Sequence, residues 1–290
     1  MNPNVRKFFE IHLARSYKRP APLILVNGLA EQSESWFANR VPWSRHFDVK
    51  VPEILVYNGG ALHRHLNSGG KITIDYLTDR LEVFLDEFVQ NPPYNLVGSS
   101  LGGQVVLTYA VRNPEKVDKL VLICPSGVHG DEHLPMMEGV RRSDYDSLVK
   151  SVFHRGHFAS DHLIAAIERK FQDRLWKRGI VRTLRGTVGH SVGSLIEQVP
   201  HPCLAIWGAN DLVLSDVPGA IRAADRMLRV RQVVIPKCGH APQIEKARLV
   251  NQLVLRFLRG KLKNIPPQLD PARFLKEGSA EFPRAVKPRT

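Results

Sequence analysis

The chain has 290 residues, 43% of them hydrophobic and 24% charged, and a formal net charge of +13. That length suits one large domain; the apolar runs are far too short to span a bilayer, and residues 1–18 lack the unbroken apolar stretch of a secretory signal. Nine of the thirteen excess charges lie in residues 1–22 and 259–290, whereas a nucleic-acid surface gathers cations on one element with aromatics between them, so specific nucleic-acid binding is not expected.

Val5 to Leu13 alternates loosely and predicts an early strand. Pro22 to Val26 is a short apolar run of strand type, closed by Asn27-Gly28. A polar loop from Leu29 to Ser35 and a short helix from Trp36 to Trp43 follow. Val49 to Val56 is the next expected strand, broken by Pro52, and the four glycines between Asn58 and Lys71 predict a loop. Thr73 is an expected helix N-cap, with Asp75 and Asp79 near the positive end of the helix dipole. Leu77, Leu81, Phe84, Leu85 and Phe88 then recur at helical spacing, which predicts one core-facing stripe ended by Pro92-Pro93.

The apolar run through Leu96 ends in Gly98-Ser99-Ser100-Leu101-Gly102, and an apolar helical stretch runs on to Arg112. Strand, sharp turn and helix form the setting in which G-x-S-x-G exposes a serine. The start of the following helix turns free N–H groups, that of Leu101 among them, towards developing negative charge. Val117 to Cys124 is another strand, with Tyr109 expected in the core beneath it. From Val128 to Gln198 the strand–helix rhythm lapses into a helix-leaning, polar insertion whose charges nearly balance, a candidate cap. The rhythm resumes with a strand from Pro202 to Trp207, a helix from Ala220 to Leu228, a strand from Gln232 to Ile235 and a helix from Leu249 to Leu258. The fold class expected is therefore α/β, a mostly parallel sheet covered by helices on both faces. Residues 261–290 read as a basic, Pro-rich tail, docked on the body if Phe274 and Leu275 find an apolar partner.

A serine hydroxyl needs a general base, and that base needs an orienting carboxylate. Asp211 stands at the carboxyl end of one expected strand, in Trp207-Gly208-Ala209-Asn210-Asp211, and His240 follows the next, in Cys238-Gly239-His240. Ser100, Asp211 and His240 thus have the types, order and sheet-edge settings of a nucleophile, its orienting acid and its base. Singly, Asp211 also suits a turn and His240 a helix start. A second match, Gly189-His190-Ser191-Val192-Gly193, has no apolar strand before it and reads as a loop within the insertion. His63 with His65, and His129 with His133, have spacings a metal could use, but no third ligand converges with either pair, so no metal is expected. Cys124, Cys203 and Cys238 are odd in number and lack C-x-x-C spacing, so free buried thiols and a cytoplasmic location are expected.

Val26 to Leu29, Gly98 to Gly103, Asn113 to Val117, Trp207 to Asp211 and Gly239 to Pro242 together resemble the α/β-hydrolase superfamily, in its capped serine-hydrolase branch of carboxylesterases and carbon–carbon bond hydrolases. The resemblance implies an α/β-hydrolase core in residues 1–127 and 199–260 and a helical cap in 128–198. It implies Ser100 as nucleophile, His240 as base, Asp211 as its partner and the backbone N–H groups of Leu29 and Leu101 as oxyanion hole, with no cofactor and a small-molecule ester or related carbonyl substrate. Cleavage of a carbon–carbon bond with the same triad, and a non-catalytic ligand-binding protein of this fold, are the alternatives. Three departures stand out: Asn27 where many relatives have His, Val56 to Leu62 where many have an Asp and a glycine-rich turn, and Ala241 where the ring-fission group often has Trp.

Overall fold

The computed structural model describes residues 21–129, 135–214 and 216–277. Six strands form one parallel sheet: β1 (Pro22–Val26), β2 (Asp48–Lys50), β3 (Tyr94–Ser99), β4 (Val117–Ile123), β5 (Cys203–Gly208) and β6 (Val230–Ile235), in the order β2-β1-β3-β4-β5-β6. The early strand expected in Val5–Leu13 lies outside the described residues. Every strand neighbour is reached by a crossover, so both faces of the sheet must be covered. Side chains alternate accordingly. Ile24, Val26, Leu96, Leu120, Leu122, Ala205 and Trp207 pack with α3 (Ile74–Phe88), α4 (Leu101–Arg112) and α9 (Val217–Ala224). Leu23, Leu25, Val97, Val121, Ile123, Leu204 and Ile206 face α1 (Phe37–Ser44) and α11 (Ala247–Leu258). Tyr109 is in the first of these cores.

Several expectations shift in detail. Strand β2 stops at Lys50, two residues before Pro52, which has no N–H for the ladder. The expected loop of 58–71 contains helix α2 (Gly60–Asn67), because its glycines bracket the helix rather than interrupt it: Gly59 is the N-cap, and Gly69, with φ 88°, follows the end. Leu62 and His63 supply its buried face. In α3 the Thr73 hydroxyl accepts from the Tyr76 N–H as expected, and Leu77, Leu81 and Leu85 are buried. Phe88 leaves the stripe: it lies in the last turn, 66% exposed, against Phe84.

The insertion between β4 and β5 holds α5 (Pro135–Arg142), α6 (Tyr145–Val152), α7 (Asp161–Gln172) and α8 (Arg174–Thr187). Asp144, Ser160 and Asp173 cap the last three, each side chain accepting a backbone N–H. Val140, Leu148, Phe171, Trp176, Ile180 and Leu184 form its own small core, into which Tyr57 inserts from the loop after β2. Charge balance holds over the insertion as a whole but not along α8, which carries five cations and no acid. After β6 come α10 (Pro242–Glu245) and α11, and α12 (Pro271–Glu277) ends the described chain. Leu262 and Leu269 are buried, and Phe274 and Leu275 pack against the main core, so 261–277 is docked on the body. No described helix is long and apolar enough to cross a membrane.

Candidate active site

Ser100 sits at the tip of the β3–α4 turn with φ 49° and ψ −117°, a conformation that costs a non-glycine residue about 1–3 kcal/mol. Its backbone N–H donates to the Ile123 carbonyl at 2.9 Å, and its carbonyl accepts from Gly103 and Ser126. The flanking glycines permit this crowding: a Cβ on Gly98 would strike the Gly102 carbonyl, and one on Gly102 the Val26 carbonyl.

The loop after β1 lies against this elbow; a Cβ on Gly28 would stand 3.1 Å from the Ser100 Cβ. Either side of Leu29, the backbone donors are taken. The Gly28 N–H donates to Glu31 Oε2 at 3.1 Å, and the Ala30 N–H to the Tyr57 hydroxyl at 3.0 Å. The N–H groups of Leu29 and Leu101 have no hydrogen-bond partner among the described residues. Asn27, where many relatives carry His, accepts from Trp36 Nε1 at 2.6 Å and so ties the loop to the second core.

Asp211 and His240 meet where the β5 and β6 ends converge. Asp211 Oδ2 and His240 Nδ1 are 2.7 Å apart, and both side chains are buried. Asp211 Oδ1 accepts from the Val213 and Leu214 N–H groups at 2.8 and 3.1 Å. The carboxylate is therefore fixed by two backbone donors and can hold the imidazole in one orientation. Cys124 adds a third group: its thiol, the carboxylate and the imidazole lie within 4.8 Å of one another. Burial, then the negative charge of Asp211, pushes this thiol well above the usual range.

Two carboxylates that the sequence did not single out complete the surroundings. Glu31 accepts from Gly28 and from the Ser99 hydroxyl, which also receives Gln243 Nε2. Enclosure by protein pushes the Glu31 carboxyl up, against the lowering effect of the Gly28 N–H, of His240 and of Ser99. Glu245 accepts from the N–H of Gly239 at 2.6 Å and from those of His154 and Arg155, while the His240 N–H donates to the Val152 carbonyl. It thereby joins the histidine's loop to the end of α6. Each acid takes at least one donor from a distant segment, Ser99 for Glu31 and His154 and Arg155 for Glu245, which is why periodicity carries no sign of them.

A small cavity of ≈ 30 Å³ bordered by Gly28, Glu31, Leu55, Tyr57, Leu101 and Val105 adjoins the elbow. The remaining sequence candidates go elsewhere. The Ser191 hydroxyl donates to the Gly127 carbonyl and accepts from the Gly193 N–H, and His190 bonds Gln104. His63 is buried against the Tyr57 carbonyl, His65 stacks on Tyr76, and His129 faces Asp216. His133 lies outside the described residues.

A family model described as "Alpha/beta hydrolase family" matches residues 23–253. The carboxylesterase YbfK of Bacillus subtilis strain 168 is 23% identical over 266 residues, covering 89% of this chain and 87% of that protein. The 2-hydroxy-6-oxo-6-(2'-aminophenyl)hexa-2,4-dienoic acid hydrolase of Metapseudomonas resinovorans is 27% identical over 254 residues, covering 82% and 83%. Among solved structures, a meta-cleavage product hydrolase from Pseudomonas fluorescens superposes with a TM-score of 0.68 at 19% identity over 83% of this chain and 92% of its own, a likeness of fold.

Proposed function

Because the chain belongs to the alpha/beta hydrolase family, we propose that it is a serine hydrolase that cleaves a carboxylic ester through an acyl-enzyme on Ser100. The observation that carries this reading is the buried 2.7 Å pair of Asp211 and His240, on the same sheet edge as a serine held at positive φ. His240, its Nδ1–H held by Asp211, takes the Ser100 proton at Nε2 as the oxygen attacks the carbonyl. The oxyanion rests on the Leu29 and Leu101 N–H groups, which have no described partner to give up. His240 then returns the proton to the leaving alcohol. In the second half it takes a proton from water, which attacks the acyl carbon, and Ser100 leaves with that proton restored. The insertion of 128–198 is the cap over this site, and the substrate is a small-molecule ester. Three buried free cysteines support a cytoplasmic setting.

Cleavage of a carbon–carbon bond beside a ketone is the second reading, favoured by the ring-fission hydrolase that aligns over 82% of the chain. Labelling of the intact protein by a fluorophosphonate, followed by peptide mapping, tests the shared chemistry. A single label on Ser100, with turnover of short- and medium-chain esters and none of a 2-hydroxy-6-oxo-dienoate, is the expected result. Turnover of the dienoate alone supports the second reading. Absence of both label and turnover overturns the enzyme assignment in favour of ligand binding.

A further inference from the structure

Helix α8, Arg174–Thr187, divides into two faces of opposite character. Trp176, Gly179, Ile180, Thr183, Leu184 and Thr187 are buried. A Cβ on Gly179 would strike the Tyr57 carbonyl and one on Gly186 the Ile72 carbonyl, so the helix lies flat and close on the body. The outer face presents Arg174, Arg182 and Arg185, all exposed. Leu175 stands at one end of this row, 49% exposed, and Val188 just past the other, 48% exposed.

These arginines are unpaired. Some cations elsewhere in the insertion meet acids one turn away, as Arg142 meets Glu138 and Lys150 meets Asp146, whereas along α8 three exposed arginines lie on one face with no acid in the helix. Among the described residues, none of Arg174, Lys177, Arg182 and Arg185 makes an ion pair or a side-chain hydrogen bond. Arg174 and Lys177 also stand in the first turn, where the helix dipole disfavours positive charge and only the Asp173 cap offsets it. The sequence thus keeps a cationic row that no acid of α8 balances.

The apolar face of α8 is buried in the core, but an exposed row of arginines is what the negative potential of an anionic lipid surface attracts, and the exposed Leu175 and Val188 at its ends can enter the apolar boundary. A single-stranded nucleic acid would call for exposed aromatics to stack on bases, but the one aromatic of α8, Trp176, is buried against Tyr57, and the exposed Leu175 and Val188 at the ends of the row favour a surface with an apolar boundary over a duplex backbone. We propose that the outer face of α8 docks on an anionic lipid surface, the arginines meeting phosphate headgroups and Leu175 and Val188 entering the boundary at either end. The proposal concerns binding and does not depend on the hydrolytic reading.

The test is co-sedimentation of the full chain with phosphatidylcholine vesicles with and without phosphatidylglycerol, at low and high salt. Binding to the anionic vesicles alone, lost at high salt, is expected. The triple variant Arg174→Gln, Arg182→Gln, Arg185→Gln should weaken it roughly tenfold or more, with helix content by circular dichroism unchanged. Leu175→Ser should weaken it less. The tail variant Arg284→Gln, Lys287→Gln, Arg289→Gln should bind like the wild type. Wild-type binding by the α8 variant, its transfer to the tail cations, or retention on heparin without vesicle binding each overturns the proposal, the last in favour of a soluble polyanion or acidic protein.

Discussion

The chain contains G-x-S-x-G twice, and the two copies fold into opposites. Gly98 to Gly102 links a buried strand to a helix, holds Ser100 at φ 49° and sets it beside two backbone N–H groups without described partners. Gly189 to Gly193 follows the end of α8, and there the Ser191 hydroxyl is consumed by the Gly127 carbonyl and the Gly193 N–H. Composition is the same and backbone context differs. A serine becomes a candidate nucleophile when its turn strains it outward and leaves donors unspent around it, and it becomes a turn residue when its own oxygen closes the local hydrogen bonds.

The largest separation between the copies should come from Ser100→Ala, with loss of ester turnover by roughly 10⁴-fold or more and melting temperature at or above that of the wild type, since alanine keeps the elbow's packing. Turnover that survives Ser100→Ala would break the comparison. Asp211→Asn should come next: an amide in place of the carboxylate can hold the wrong imidazole tautomer, with a fall in kcat on the order of 10⁴-fold at unchanged fold, read from initial rates and circular dichroism. Ser191→Ala should leave kcat/KM at the wild-type value and lower stability by about 1 kcal/mol in urea unfolding, the worth of a net hydrogen bond.

The smallest effect concerns Glu31. Its carboxyl titrates above the model-peptide value of 4.5 because enclosure by protein disfavours the charge. The folded state therefore binds the proton more tightly than the unfolded state. The stability linked to that proton is complete below pH 4.5 and declines as pH rises through the folded value. Glu31→Gln should remove this slope, visible as convergence or crossing of the two stability curves with rising pH in urea titrations. Parallel curves would show that Glu31 does not titrate in that window.

The sheet and the elbow were legible because short apolar runs ended by Gly or Pro are strands in an α/β chain, and because Ser100, Asp211 and His240 each stand just past such a run. Helix α2 was not legible. Its eight residues are bracketed by glycines, and composition over 58–71 registers the brackets rather than the amphipathic turn of Leu62 and Leu66 between them. Phe88 kept its helical spacing and missed the core because the helix outruns the surface it packs on. The acceptor duties of Glu31 towards Ser99 and of Glu245 towards His154 and Arg155 depend on neighbours from distant segments. The N-caps of the insertion, Asp144, Ser160 and Asp173, were not singled out from the sequence, although each serves a backbone N–H two or three residues on.

Glu245 gives the joint between α6 and the histidine's loop a mechanical meaning. One carboxylate grips Gly239, His154 and Arg155, and the Val152 carbonyl takes the His240 N–H. An outward swing of this end of the insertion must drag the His240 backbone and Glu245 with it or break the three hydrogen bonds that cross the joint. Under the proposed function, moving the insertion and aligning the base would be geared together, like a machine guard wired to the power switch: with the guard lifted, the imidazole would be out of register.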